Sequence, residues 1–511
     1  MDRTLVCLTL SKSTIRENLN LINKYRKYVD IVELRADYLN EDELLAIRRF
    51  PELAQIPAIL TIRRKNDGGL YGGGEAARTM LFARALAFAD PDKRKNFAYV
   101  DFEVDYHIPS LEDAALAYGT LIIRSFHDMN NPVRNLPVKF REMCKSHYEI
   151  PKIACMPHNL SDVTNIFKEC ENLTDLPHII CAMGPMGIPT RILAHKLHSY
   201  LSFVSPSDSG SFSEVLGHID PITMNDVYNF RNLNKDTQIF GITGWPLKKT
   251  ASPALHNKGY HNQNINAVYI PVCSPDIKDT LDFADQIGMK GISVTIPHKA
   301  SVLPFLNVES QQVQKIGACN TIVKQDDKTW SGYNTDTDGL YAALKEFLRT
   351  DSLKGWKVAI IGAGGAAKAA AYVVKKLGGK GCVFNRTLSK AKSIAEKFGF
   401  EYALLSPEST RKLEKYSSLI IQTTSVGMGS TDVPNETNNP IWFYDFNGKE
   451  KVFDIVYIPE LTPIMAQAEA AGCEVCNGLP MLKYQGYEQF KLFTGQNYIM
   501  TTAEDTKGIN W

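Results

Sequence analysis

Short apolar runs and amphipathic stretches follow one another in a regular pattern along the first part of the chain. Eight short apolar runs, each bounded by turn-forming residues, are separated by amphipathic stretches with helical spacing. Eight strand–helix repeats in roughly 210 residues are typical of a closed parallel barrel, whereas a doubly wound sheet usually has fewer strands. The apolar runs lie at 5–10, 31–34, 58–62, 98–102, 120–123, 152–156, 178–183 and 201–204. We therefore predict an N-terminal (β/α)8 TIM barrel in an α/β protein.

The pattern ends in a turn-rich segment at about 205–244, which we call the join. It opens with S-P-S-D-S-G-S-F-S-E and closes on a new apolar run that starts at Gln238. Ser, Gly, Asp and Pro satisfy turn geometry and do not propagate helices or strands. We predict two catalytic units in tandem, and we expect the join to contribute no catalytic group to either pocket.

A glycine-rich turn without a counterpart upstream follows the apolar run 356–361. It reads Gly362-Ala363-Gly364-Gly365-Ala366 and leads into an alanine-rich helix, which is the arrangement of a dinucleotide-binding βαβ unit. The next predicted strand, 381–384, ends in Asn385-Arg386-Thr387. An NAD-binding chain has an acid at this point, whereas an arginine accommodates a 2′-phosphate. The pattern predicts a Rossmann domain that binds NADP.

Length and composition add limits to this organisation. At 511 residues we expect about three domains: 1–222, then 236–338 completed by helices at about 478–511, and 339–477. The formal charge of +1 favours small-molecule substrates and no nucleic-acid partner. No apolar run reaches the roughly 18 residues of a membrane span, and no leader precedes the first strand, so we expect a cytoplasmic protein. Ten scattered cysteines indicate reduced thiols, and the lone C-x-x-C at 473–476 predicts no metal site.

Polar residues cluster where the predicted barrel strands end, which is where barrels carry their chemistry. Charged groups that point into a barrel need partners, since an unpaired buried charge is costly. The motifs are Glu33-Leu-Arg35-Ala-Asp37, Arg63 after Thr-Ile, Asp101-Phe-Glu103, Ser125-Phe-His127-Asp128 and Lys152. Together they resemble the type I 3-dehydroquinate dehydratases over nearly all of residues 1–218.

This resemblance implies a Schiff base on Lys152, with His127 as the proton shuttle and Glu103 assisting or orienting it. A lysine near cations and apolar walls is expected to have a lowered pKa. The implied substrate-binding residues are Glu33, Arg35, Arg63, Met183 and Arg191.

The chain departs from the dehydratase family at two loops. Asp67 stands where a glutamate is usual. The lid motif A-P-G-Q, whose glutamine touches substrate, is replaced by Ser205-Pro-Ser-Asp208. No residue is assigned to that contact from the sequence.

Motifs of the second half resemble shikimate dehydrogenase over residues 238–495. They include Gly291 to Lys299, Gly332-Tyr-Asn-Thr-Asp336 and Asn477 to Gln485. The resemblance implies Lys299 and Asp336 as the catalytic pair. It implies substrate binding by Thr250, Ser252, Thr295, Asn320, Tyr457 and Gln485. The implied cofactor-binding residues are Gly362, Ala363, Gly364, Gly365, Ala366, Asn385, Arg386, Thr387, Thr423 and Gly478.

Hydroxyls at Thr250 and Ser252 have a simpler alternative, which is capping of the following helix. The family usually has serine where Thr250 stands. Because the extra methyl group changes the shape of the substrate site, quinate remains an alternative substrate to shikimate.

The two resemblances fall on successive reactions. We predict a bifunctional enzyme that dehydrates 3-dehydroquinate to 3-dehydroshikimate and then reduces that product with NADPH. The alternatives are a barrel aldolase fused to a quinate/shikimate dehydrogenase, and a ligand-sensing pseudoenzyme. Oligomeric state and substrate channelling stay open.

Overall fold

The computed structural model describes residues 3–86, 90–207, 216–247, 250–326 and 328–500. The chain separates into two compact units, residues 1–289 and 290–511. The first holds the barrel, the described part of the join and one strand pair. The second holds an antiparallel group of strands and a parallel sheet. The domain boundaries predicted above stay a prediction.

Eight parallel strands form the barrel in the first unit, which confirms the predicted architecture. Their order is β7-β6-β5-β4-β3-β2-β1-β8, and a parallel bridge between His178 and Ser199 lies at the remaining edge. The strands are β1 Leu5–Leu10, β2 Ile31–Arg35, β3 Ala58–Thr61, β4 Tyr99–Glu103, β5 Leu121–Asp128, β6 Glu149–Cys155, β7 Ile179–Ala182 and β8 Leu201–Val204.

β5 and β6 are longer than their apolar runs. The predicted runs stop at 123 and start at 152, yet the strands pair without interruption from Ile122 with Glu149 to Asp128 with Cys155. Polar residues remain in the ladder because the neighbouring strand satisfies their backbone groups and buried partners satisfy their side chains. Lys152 therefore lies in the middle of β6 and does not open it.

The barrel interior changes from apolar to charged along each strand. Inward positions recur every second residue, so Ile31 is followed by Glu33, and Tyr99 by Asp101 and Glu103. Every strand contributes to one apolar cluster, made of Cys7, Ile31, Ile59, Tyr99, Ile123, Ile150, Ile179, Cys181, Leu201 and Phe203. The charged layer lies beyond this cluster, at the carboxyl ends of the strands.

Helices surround the barrel and continue past the join. The barrel helices are α1 Ile15–Tyr25, α2 Phe50–Ala54, α3 Glu75–Leu86, α4 Pro109–Ala117, α5 Leu136–Met143, α6 Leu160–Cys170 and α7 Gly184–Ile192. Two further parallel strands and two helices complete the first unit: β9 Gln238–Gly244, α8 Ser252–Asn262, β10 Ala267–Cys273 and α9 Ile277–Ile287.

The second unit begins with strands that pair mostly antiparallel. β13 lies between β11 and β14, and β14 also pairs with β12. The elements are β11 Met289–Val294, α10 His298–Ser301, β12 Val308–Glu309, α11 Gln311–Ile316, β13 Thr321–Lys324, β14 Trp330–Tyr333 and α12 Asp336–Leu348.

A six-stranded parallel sheet forms the rest of the second unit. Its order, β17-β16-β15-β18-β19-β20, places the crossover point between β15 and β18. This is the doubly wound order, which binds dinucleotides at that crossover, and the predicted Rossmann fold is confirmed. The elements are β15 Lys357–Ile361, α13 Gly365–Lys376, β16 Lys380–Asn385, α14 Leu388–Phe398, β17 Glu401–Leu404, α15 Thr410–Lys415, β18 Leu419–Gln422, β19 Lys451–Asp454, α16 Pro463–Ala470, β20 Glu474–Cys476 and α17 Leu479–Thr494.

Two general features bear on the expectations from composition. No helix within the described ranges has the length and apolarity needed to cross a membrane. The ten cysteines are all free, and eight of them are buried. The cytoplasmic location stays a prediction.

Asp454, at the end of β19, generates a prediction about stability. Its carboxylate accepts hydrogen bonds from the Val456 amide and the Thr462 hydroxyl, but burial dominates and raises the pKa of Asp454 to about 7. The unfolded chain releases this proton near the ordinary value of 3.8, so folding stability is lost as pH rises from about 4 to 7. Asp454→Asn should flatten this dependence.

The measurement is the free energy of unfolding of the second unit at pH 5 and pH 8. Each unit of pKa difference corresponds to about 1.4 kcal/mol. Asp445→Asn, at an exposed position, is the matched control and should behave as the wild type. An unchanged difference between the two pH values in Asp454→Asn would contradict the assignment.

Candidate active sites

Lys152 is the centre of the charged layer in the barrel. Its Nζ lies 3.1 Å from Asp101 Oδ2 and 3.5 Å from Glu33 Oε1, and it stands 4.4 Å from the centroid of the Phe203 ring. The residue is 5% exposed. Glu33 is fixed in turn by hydroxyls of Thr9 and Thr61. The amine is thus held in one place and shielded from bulk water.

The expected lowering of the Lys152 pKa is wrong. Burial does work against the ammonium form, but the fields of Glu33 and Asp101 outweigh burial and raise the pKa of Lys152. Cations and apolar walls alone would lower the pKa of the amine, but the two carboxylates reverse the shift. In this structure the amine must therefore transfer a proton before it can act as a nucleophile.

Glu103 does not orient His127, contrary to the expectation. Its carboxylate accepts two hydrogen bonds from Arg78 Nη1, at 2.9 Å each, one from Arg78 Nη2 at 2.8 Å, and one from Arg63 at 3.1 Å. Arg63 also contacts Asp101 at 2.7 Å and Ser125 at 2.8 Å. A buried cation draws carboxylates to itself because pairing offsets desolvation. Glu103 is therefore a structural partner of two arginines.

His127 is left with an unpartnered ring nitrogen. Its Nδ1 is buried and has no hydrogen-bond partner among the described residues. Burial, Arg63 and Lys152 all disfavour the imidazolium and hold the pKa of His127 well below its ordinary value, against a smaller opposing effect of Asp101. His127 lines the same pocket as Lys152. It is placed as a neutral base.

Arg191 differs from the other arginines of this pocket. Arg35 is paired with Asp37 at 2.7 Å, whereas no described carboxylate pairs with Arg191. Arg191 donates to the carbonyl oxygens of Phe203 and Leu216, and its buried Nε has no partner. A buried cation without a counter-ion is a binding site for an anion. Met183, at the start of α7, is buried beside it in the pocket wall.

The join contributes to the wall of this pocket, and the expectation that it lends no catalytic group stays a prediction. Leu216 and His218 line the pocket together with Lys152. Asp67, which replaces the usual glutamate, also lines it and is paired with Arg64 at 2.7 Å. Ser205 lies among the described residues, whereas Asp208 lies outside them.

A second centre lies in the second unit, where Lys299 and Asp336 come together. Lys299 Nζ lies 2.5 Å from Asp336 Oδ2, and the other oxygen of Asp336 accepts from Asn320 at 2.9 Å. Asn320 also lies 3.5 Å from Gln485 Oε1. The Lys299 carbonyl accepts from the Cys319 amide at 2.7 Å, which fixes the lysine backbone. Four of the predicted residues are thus joined in one hydrogen-bonded network.

The remaining predicted substrate residues occupy different positions. Thr295 follows β11, and its carbonyl accepts from the His298 amide. Tyr457 is partly buried after β19. Thr250 and Ser252 lie in the first unit, where the Thr250 hydroxyl accepts from the Ser252 amide at 3.3 Å at the start of α8. The N-cap of this helix is Ala251, which has no side-chain capping bond, so the contact is a local hydroxyl–backbone turn and neither capping nor anion binding is decided by it.

The glycine turn after β15 is shaped for a close approach by a ligand. Gly362 has a φ of 112°, and a Cβ there would lie 2.6 Å from Thr423 Oγ1. Nothing lies within 4 Å of a Cβ built on Gly364, and one built on Gly365 would lie 3.1 Å from Lys299 Cδ. Open space at the start of α13 fits a pyrophosphate, and its position beside Lys299 fits a nicotinamide cofactor. Ala363 and Ala366 belong to the same turn.

Arg386 lies just after the carboxyl end of β16, and it is the residue predicted to recognise the 2′-phosphate of NADP. It is exposed and makes no ion pair within the described ranges. The adjacent Asn385 donates to the carbonyl of Thr387 at 3.0 Å, which shapes the turn. An unengaged guanidinium at this position fits a 2′-phosphate.

Two residues that were predicted to bind the cofactor, Thr423 and Gly478, make contacts that fix the backbone. The Thr423 hydroxyl donates to the Ile361 carbonyl at 2.6 Å and so holds the glycine turn. A Cβ on Gly478 would lie 2.0 Å from the Ile455 carbonyl oxygen. Both residues shape the edge of the sheet next to the cofactor turn.

Sequence reasoning missed Asp101, Arg78 and His218. Asp101 was visible in the motif Asp101-Phe-Glu103, and its inward spacing could have indicated a contact with Lys152. Arg78 lies on α3, where nothing in the sequence distinguishes it. His218 lies ten residues after Asp208, outside the segment that replaces the lid motif.

Three family models match successive parts of the chain. Residues 6–235 match the model of type I 3-dehydroquinase, and residues 242–322 match the substrate binding domain of shikimate dehydrogenase. Residues 343–429 match the model of shikimate / quinate 5-dehydrogenase.

Similar proteins include single-activity and two-activity enzymes. The chloroplastic bifunctional 3-dehydroquinate dehydratase/shikimate dehydrogenase of Arabidopsis thaliana is 30% identical over 96% of this chain and 82% of its own length. Shikimate dehydrogenase (NADP(+)) of Pyrococcus furiosus is 38% identical over 52% of this chain and 93% of its own. The structure of dehydroquinate dehydratase and shikimate dehydrogenase from S. pombe AroM covers 98% of this chain and 97% of its own, with 24% identity and a TM-score of 0.42.

The buried pairing of Glu103 generates a second prediction. Arg78 is fully buried and provides most of the hydrogen bonds to Glu103, so Arg78→Met should leave a partly compensated buried carboxylate. We expect a loss of about 3 kcal/mol in the free energy of unfolding of the barrel.

The matched control is Arg94→Met. Arg94 is 89% exposed and pairs with Asp92 at 2.8 Å, so its loss should cost less than about 1 kcal/mol. Denaturant unfolding of both variants provides the comparison. Equal losses would show that the Arg78–Glu103 pair has no special importance.

Proposed function

Because the chain belongs to the family of bifunctional 3-dehydroquinate dehydratases/shikimate dehydrogenases, we propose how its residues divide the two reactions. The protein is a lyase that converts 3-dehydroquinate to 3-dehydroshikimate and an NADP-dependent oxidoreductase that reduces this product to shikimate. The observation that carries the assignment of residues is the pair of lysine–carboxylate centres, Lys152 in the barrel and Lys299 in the second unit.

Arg191 anchors the substrate carboxylate in the barrel. It is the buried arginine of the pocket that no described carboxylate neutralises, whereas Arg35 and Arg63 already have acidic partners. A planar guanidinium matches a carboxylate in a bidentate geometry. Arg35 and Arg63 then act by holding Asp37, Asp101 and Glu103 in place.

Lys152 forms an imine with the C3 ketone of the substrate. The ammonium first transfers a proton, for which neutral His127 is the base in the same pocket. The amine adds to the carbonyl carbon, and the ketone oxygen leaves as water after it takes back the proton held by His127, which becomes neutral again. The iminium is an electron sink that acidifies the neighbouring carbon. Asp101 and Glu33 stabilise its positive charge as they stabilise the ammonium.

His127 then removes the C2 proton and returns a proton to the leaving C1 hydroxyl. One water leaves in this elimination, and a second water hydrolyses the imine and restores Lys152. The net change is the loss of one water from 3-dehydroquinate. A neutral imidazole with an unpartnered nitrogen suits both transfers, because it can accept and return a proton.

The imine generates a third prediction. Borohydride added with 3-dehydroquinate or 3-dehydroshikimate should leave a stable adduct on Lys152, identified by peptide mass spectrometry. Lys152→Ala should abolish both the adduct and dehydration while reduction of added 3-dehydroshikimate continues.

Lys299→Met provides the matched control for the other centre. It should abolish reduction and leave dehydration, so that 3-dehydroshikimate accumulates from 3-dehydroquinate. An adduct on another residue, or none with the wild type, would rule out the imine at Lys152.

Lys299 and Asp336 perform the second reaction in this proposal. NADPH supplies the hydride when it is bound. Lys299 donates a proton to the C3 oxygen of 3-dehydroshikimate, and Asp336 holds its ammonium at 2.5 Å. Asn320 and Gln485 bind ring hydroxyls from the same network, and Thr295 and Tyr457 add further contacts in this proposal. The substrate-binding roles of Thr250 and Ser252 stay predictions from the sequence resemblance. The extra methyl of Thr250 keeps quinate as the alternative substrate of this half.

Cofactor specificity generates a fourth prediction. Arg386→Asp removes a charge-assisted contact to the 2′-phosphate, which is worth about 1.5–3 kcal/mol, or roughly ten- to a hundred-fold in affinity. NADPH binding should weaken by that factor and NADH binding should change little, as measured by titration of each cofactor.

Arg349→Asp is the matched control. Arg349 is exposed at the end of α12, before β15, and its replacement should leave both affinities unchanged. Equal weakening of NADPH and NADH in Arg386→Asp would show that this arginine does not recognise the phosphate.

A further inference from the structure

His218 of the join is fixed in the wall of the dehydratase pocket. Its neighbour Leu216 accepts a hydrogen bond from Arg191 Nη2 at 2.9 Å, and the Ile219 carbonyl accepts from the Ser205 amide at 3.1 Å. Gly217 between them has a φ of 69°, and a Cβ there would lie 2.5 Å from the Gly184 carbonyl oxygen. The segment is therefore attached to β8 and α7 on both sides of His218.

One ring nitrogen of His218 is engaged and the other is available. Nδ1 lies 2.8 Å from the Ser205 hydroxyl, whereas Nε2 has no hydrogen-bond partner among the described residues. Burial, together with Arg191, Arg35 and Lys152, holds the pKa of His218 well below its ordinary value. The side chain is a neutral imidazole that lines the pocket with one ring nitrogen unengaged.

The pocket separates into satisfied and unsatisfied polar groups. Glu33, Asp101, Arg35 and Arg63 are all paired with one another or with neighbours. Within the described ranges, Nδ1 of His127 and Nε of Arg191 are buried without a partner, and Nε2 of His218 makes no hydrogen bond. Unsatisfied polar atoms in a largely buried pocket mark the positions where a polar ligand completes the hydrogen bonds.

We infer that His218 is a substrate-binding residue of the dehydratase, whose Nε2 hydrogen-bonds an oxygen of the hydroxylated ring acid beside Arg191. The inference rests on the proposed dehydratase function. A neutral imidazole suits a hydroxyl group, because it can donate or accept according to its tautomer. His218 would replace the substrate contact that the lid glutamine makes in the family and that this sequence lacks. The join would then be part of the active site.

The test compares three replacements that separate polarity from shape. His218→Phe keeps a planar ring and removes both nitrogens, His218→Gln restores an amide, and Ser205→Ala removes the group that fixes Nδ1. Dehydratase kcat and KM are measured for each, and reduction of 3-dehydroshikimate on the same preparations reports whether the chain is folded.

We expect His218→Phe to raise the KM for 3-dehydroquinate by about three- to thirty-fold with a much smaller change in kcat, as for loss of one hydrogen bond to substrate. His218→Gln should recover most of this loss, and Ser205→Ala should show a smaller rise in KM. His147→Phe, at an exposed position just before β6, is the matched control and should leave KM unchanged.

Two outcomes would overturn the inference. One is a wild-type KM in His218→Phe, and the other is an equal loss in His218→Phe and His218→Gln. Absence of dehydration in the wild-type protein would instead refute the proposed function. If His218→Phe also loses reduction, Ser205→Ala decides, since an unchanged KM there with reduction intact contradicts a role for the Ser205–His218 pair.

Discussion

Pairing of buried charge is the constraint on which the barrel site depends. Three cations and three carboxylates share the inner layer and neutralise one another: Lys152, Arg63 and Arg78 with Glu33, Asp101 and Glu103. Removal of one member would leave an uncompensated charge in a low-dielectric interior, which destabilises more than an intact pair stabilises. Arg191 stands outside this balance. The pocket therefore has an excess of positive charge where an acid substrate binds.

The same layer is compatible with the nucleophilic role proposed for Lys152, although it makes the amine strongly basic. The two carboxylates that raise the Lys152 pKa also stabilise the positive charge of an iminium. The carboxylates therefore stabilise the positively charged intermediate, and they also make the neutral amine harder to form. The proposed mechanism needs a neutral proton acceptor nearby, and burial together with the cations around His127 holds its pKa low. Both pKa shifts depend on burial and on the charges of the same layer.

The second centre uses a lysine and an aspartate under different conditions. The side chain of Lys299 is 18% exposed and that of Asp336 is 9% exposed, compared with 7% for Lys152 and 0% for Asp101. A proton donor must be restored after each turnover, and contact with solvent allows this. A nucleophile that holds a covalent intermediate benefits from exclusion of water. Burial thus distinguishes two similar side-chain pairs in the sense that their proposed roles require.

The sequence by itself determined the eight-stranded barrel and the glycine turn of the Rossmann fold, and it singled out the two lysines proposed as catalytic, because these depend on periodicity and on local motifs. It also placed Arg386 at a strand end, since strand and turn are contiguous in the chain. Only the tertiary structure decided that Glu103 belongs to Arg78 and that His218 reaches the pocket of Lys152. Those contacts join residues that are distant in the chain. Which charges pair, and therefore which way a pKa shifts, depends on the distances that folding sets and not on the order of residues.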